Sequence, residues 1–73
     1  MHPAVLMEEA IQIAWDYLER TGEIDDPEVC SRVLMDSVEL MVRQGVRNRL
    51  LLSNRAIAHH MRHLEAHTLQ AAS

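Results

Sequence analysis

Lysine and phenylalanine are missing from this chain, cysteine occurs once, and glycine and proline occur twice each. A lone cysteine excludes a disulfide framework and fits a reducing compartment better than a secreted scaffold; Cys30 reads as a small packed hydrophobe. Two isolated glycines exclude a glycine-rich phosphate loop. Ser31, Ser37, Ser53 and Cys30 stand in no local nucleophile signature, so no catalytic residue is assigned and an enzyme is not expected. No apolar run approaches the ~20 residues that cross a bilayer, and the opening MHPAVLMEEA lacks the basic region of a signal peptide. The expectation is a soluble cytoplasmic protein with no membrane partner. Without lysine, all seven basic residues are arginine, a usage that points to a GC-rich, bacterial coding sequence. Strand-period alternation of useful length, internal repeats and low-complexity segments are also lacking.

What the chain has is helix signal. Its 73 residues, 48% of them hydrophobic, form one domain (1–73), and a chain this short buries only about 60% of its unfolded surface when it folds alone. The predicted fold is all-α, with three helices over roughly 3–21, 27–44 and 48–67. Pro3 suits a first helical turn and Gly22 supplies the positive-φ residue that closes a helix. Asp26-Pro27-Glu28 combines an N-cap carboxylate, a proline at the first position and an acid in the first turn. Gly45 closes the second helix, and Asn48 caps the third. Ser53 is an alternative cap that would divide the third helix. The tight link at Val46, Arg47 and Asn48 makes helices two and three an antiparallel hairpin. Residues 68–73 are expected to fray.

Wound at about 100° per residue, the first helix carries an apolar arc centred on Leu6, Ala10, Ile13, Ala14 and Tyr17 that widens to Trp15. The second carries Val29, Cys30, Val33, Leu34, Val38, Leu40, Met41 and Val42, opposite a solvent face with Glu28/Arg32, Arg32/Asp36 and Glu39/Arg43 spaced to pair. Both arcs exceed what one packing neighbour covers. Completion of the bundle by homodimerisation follows, with Leu6, Ile13, Trp15, Tyr17, Val33 and Leu40 as the candidate interface. In the third helix Leu50, Ile57, Met61 and Leu64 fall in a narrow arc expected to be buried, flanked by Asn54, Leu51 and Ala58.

Charge is unevenly placed within a net charge of −4. Residues 1–42 hold ten acids against Arg20 and Arg32, a net −8, and the remainder holds five arginines against Glu65, a net +4. The two halves are expected to attract one another within the fold or across a dimer. Arg47, Arg49, Arg55 and Arg62 are the candidate nucleic-acid contacts, able to meet a phosphate backbone without reading sequence, although they do not share one helix face. His59, His60, His63 and His67 fall in a neighbouring arc, and the i,i+4 spacing of His59, His63 and His67 lets two imidazoles reach one zinc or nickel ion. No third ligand stands at matching spacing, so a solvated histidine surface is the competing reading, and no cofactor is assigned.

The stretch Leu52-Ser53-Asn54-Arg55-Ala56-Ile57-Ala58 resembles the opening of the first helix in LuxR-type helix-turn-helix DNA-binding domains, with Ala56 where that family has glutamate. The resemblance covers seven residues and implies a turn and a recognition helix for the DNA major groove. Met61 to His67 instead continues the helical pattern. The reading that gathers these observations is a small helical interaction or regulatory module that dimerises and has room for a protein partner.

Overall fold

The computed structural model describes the backbone of residues 2–72 and the side chains of residues 2–66. It consists of α1 (Pro3–Thr21), α2 (Pro27–Arg43) and α3 (Arg49–Ala72) in an up-down-up bundle, with no strand among the described residues. No helix among them is long and apolar enough to cross a membrane.

Local signals set the boundaries. His2 caps α1, its Nδ1 accepting from the Ala4 amide at 3.1 Å, a role that sequence reading did not assign. Gly22 adopts φ 72°. Its amide donates to the Glu19 carbonyl at 3.3 Å and the next amide, of Glu23, donates to Leu18 at 2.9 Å, a Schellman closure. The same pattern ends α2, where Gly45 (φ 96°) donates to Val42 and Val46 donates to Met41. Asp26 caps α2 as expected, accepting from the Glu28 and Val29 amides. Asn48 caps α3, its Oδ1 accepting from Leu50 and Leu51 at 3.0 Å each. Ser53 is not a cap: its hydroxyl donates back to the Leu50 carbonyl at 2.9 Å inside an unbroken helix. The turn implied by the helix-turn-helix resemblance is therefore absent from the described residues. α3 runs five residues past the expected end at His67, through helix-favouring leucine, glutamine and alanine with no glycine or proline to stop it. The fraying expected of 68–73 falls outside the residues whose side chains are described.

The core is a three-helix seam. α1 contributes Leu6, Ala10, Ala14 and Leu18, one residue per turn, and α2 contributes Cys30, Leu34, Val38, Met41 and Val42. The alanines of α1 and Ala56 of α3 bring little bulk to the seam, which lets helix axes approach closely. α3 departs from the expected roll. Its buried residues are Leu52, Ser53, Ala56 and His60, whereas Leu50 is 60% and Met61 38% exposed, with Ile57 and Leu64 half-buried. The helix is turned by about a quarter of its circumference from the face that hydrophobicity favours. Three consecutive leucines at 50–52 leave the roll open. The polar members of the chosen face satisfy themselves, Ser53 within its own turn and His60 against the Glu23 carbonyl.

Only Glu39–Arg43 of the three surface pairs expected on α2 is formed, at 2.7 Å. Exposed pairs at this spacing contribute a few tenths of a kcal/mol, too little to fix a long side chain. Attraction between the acidic and basic halves is visible once, where Arg49 reaches Glu9 at 2.7 Å between α3 and α1.

The roll of α3 is checked by urea unfolding. Leu52→Ala, at a fully buried position, is expected to lower stability by about 2–5 kcal/mol. At the neighbouring, exposed Leu51 the same truncation should cost under about 1 kcal/mol; equal losses would mean that α3 is rolled otherwise.

Candidate functional site

Among the described residues His60 is the one buried side chain of a titratable, charge-bearing type, 1% exposed. The i,i+4 ladder Leu52, Ala56, His60 carries it inward, and the Schellman closure of α1 turns the Glu23 carbonyl towards it. Its Nε2 lies 3.3 Å from that oxygen. A carbonyl only accepts, so Nε2 donates this hydrogen bond. Nδ1 is buried and has no hydrogen-bond partner. The ring lines a cavity of about 230 Å³ together with Asp25, Asp26, Val29, His63 and Leu64. Asp26 is engaged there as the cap of α2.

This placement corrects the histidine surface. His60 belongs to the core, and its i,i+4 register with Leu52 and Ala56 is the signal that the sequence reading passed over. His59 and His63 are exposed and line different cavities, His59 between α2 and α3 and His63 beside the α1–α2 link. The side chain of His67 lies outside the described residues. Among the described residues no group of three or more histidine, cysteine, aspartate or glutamate side chains is arranged to hold a metal ion.

The four arginines are likewise separated. The Arg47 guanidinium donates to the Val42 and Val46 carbonyls at 2.7 and 3.0 Å and so finishes the end of α2. Arg49 is paired with Glu9. Arg55 and Arg62 are exposed on the edge of α3 that faces α2, beside Asp36, Leu40 and His59.

The six residues expected at a dimer interface spread over the molecule. Leu6 is buried in the core, 5% exposed, beside a cavity that it lines with Arg47, Asn48, Arg49 and Leu50. Trp15 is half-buried in the α1–α2 groove with Met35, and its Nε1 donates to Glu19 at 3.1 Å. Val33 and Leu40 fall on one stripe of α2 seven residues apart. Ile13 and Tyr17 share the helical stripe of Glu9, the residue of α1 that pairs with Arg49 of α3, and Tyr17 is 47% exposed. α1 and α3 run parallel, Glu9 pairing with Arg49 at the start of α3 and the Glu23 carbonyl, just past the end of α1, meeting His60 further along α3. Tyr17 thus comes level with Ile57 and Met61. Comparison of the chain with protein-family models, with curated proteins and with solved structures finds no match.

Two measurements follow. His60→Ala is expected to cost about 2–4 kcal/mol of folding stability, against within about 0.5 kcal/mol for His59→Ala or His63→Ala; three equal effects would return His60 to the surface. Burial pushes the Cys30 thiol above its ordinary value. Its proton is held more tightly folded than unfolded, so this contribution is complete below the ordinary thiol pKa and is lost as pH rises through the folded value. Unfolding followed between about pH 8 and about pH 10 should show the parent chain losing more stability than Cys30→Ala.

Proposed function

We propose that this chain is a non-catalytic helical interaction module that self-associates as a homodimer through the face shared by α1 and α3. The observation that carries the reading is the roll of α3. The helix buries Ser53, Ala56 and His60 and leaves its most apolar stripe, Leu50, Ile57 and Met61, on the outside or half-covered. On the parallel neighbour, Ile13 and Tyr17 extend that stripe. From Leu50 to Met61 it runs about 16 Å along α3. A small domain that exposes its better hydrophobic stripe is suited to covering it with a second copy, and a closed two-fold contact does so with one patch used twice.

Two features favour a protein partner over a nucleic acid. Arg49 is neutralised by Glu9 and Arg47 is spent on the end of α2, so two of the four candidate phosphate contacts are already engaged. The net charge of −4 adds a repulsive background.

Sedimentation equilibrium tests the reading. The parent chain should sediment at twice 8.4 kDa at tens of micromolar, as small dimers of modest interface area do. Tyr17→Glu combined with Met61→Glu should sediment as a monomer with unchanged helical circular dichroism, because neither side chain belongs to the core. A parent chain that remains a cooperative monomer at about 100 μM would remove the proposal.

A further inference from the structure

A second surface lies between α2 and α3, on a different side of the bundle from Tyr17 and Met61. It is an open groove of about 430 Å³. Leu40 stands in it 57% exposed and Met41 lies nearly buried beneath. Its α3 edge carries Arg55, His59 and Arg62, at i, i+4 and i+7, so that all three project along one line. The α2 wall offers a single acid, Asp36. The ion pairs found among the described residues are Glu39–Arg43 and Glu9–Arg49, so neither guanidinium of the groove is matched within the fold. In a chain with ten acids in its first 42 residues, these cations are left without the compensation that Arg43 and Arg49 receive.

We propose that the α2–α3 groove docks an acidic amphipathic helix of a partner protein. Apolar side chains of that helix cover Leu40 and Met41, and carboxylates along its flank pair with Arg55 and Arg62. A guanidinium offers two parallel donors to a carboxylate, and an unbranched thioether such as Met41 adapts to a bulky guest. The apolar contact supplies most of the affinity. The charges select the partner and speed encounter, since exposed pairs are individually weak. An apolar strip edged on one side by cations matches a helix laid in a groove; a nucleic-acid backbone would leave Leu40 uncovered.

The test is fluorescence anisotropy of the full chain with two labelled synthetic helices of about 16 residues. Both carry leucine at every third and fourth position, one with glutamate along the flank and the other with lysine there. The glutamate peptide is expected to bind at least about tenfold tighter than the lysine peptide and to weaken as salt is raised. Arg55→Glu combined with Arg62→Glu should reverse that preference, and Leu40→Ser should weaken both peptides while leaving sedimentation and helical content as in the parent. Equal binding of the two peptides, no binding of either, or indifference to the arginine reversal overturns the proposal. So does displacement of the glutamate peptide by a random DNA duplex at equal concentration, which would transfer the groove to phosphate. Because the variants lie off the α1–α3 face, a monomeric parent chain would refute self-association without deciding this groove.

Discussion

The roll of α3 about its own axis is the constraint on which the rest of the molecule depends. α1 and α2 each present one dominant apolar stripe, so their orientation follows from burial alone. α3 has three consecutive leucines, and with them three ways to face the seam. The orientation adopted places Leu52 and Ala56 against α1 and α2 and carries His60 to the end of the bundle, beside the α1–α2 link. Everything notable at the surface is what that choice leaves over. The apolar stripe of α3 stands beside α1, the arginine edge stands beside α2, and one imidazole is committed to the interior.

A buried imidazole with one unmatched nitrogen is an expensive choice compared with another leucine, because an unpaired polar atom in a packed interior costs about 1–3 kcal/mol. What His60 contributes in return is a tie across the bundle. It joins α3 to the backbone that leaves α1, at a carbonyl whose direction is fixed by the left-handed glycine before it. The exposed Arg49–Glu9 pair lies towards the other end of the same two helices and adds little to this. α3 is seated in the seam by the fully buried Leu52, Ser53 and Ala56, which leaves its apolar stripe outside.

Much of the fold was legible because it is written in short-range chemistry. Pro3, Gly22, Asp26-Pro27, Gly45 and Asn48 each act within one turn, and every boundary they imply is present to within a residue, apart from the far end of α3. The first two helices were also legible in their facing, since Leu6, Ala10, Ala14, Leu34 and Val38 sit where the periodicity puts them. What was not legible is long-range. The wheel gives the hydrophobicity of each face of α3 but not the position of the Glu23 carbonyl, and that acceptor makes a histidine tolerable inside. The six residues of the expected interface illustrate the same limit. Apolar arcs show that surface is left over, while only the packing of all three helices shows that Leu6 is covered and that Trp15, Tyr17 and Leu40 face in different directions.

The two links are short, each leaving its helix through a glycine-closed turn whose backbone amides bond back to the last turn of that helix. Neighbouring helices therefore meet after very little chain has been looped, and most contacts join residues close in sequence. For a bundle of this kind the search for the native arrangement is brief, on the order of microseconds to milliseconds. A newly made copy would pack its three helices together long before it encountered a second chain.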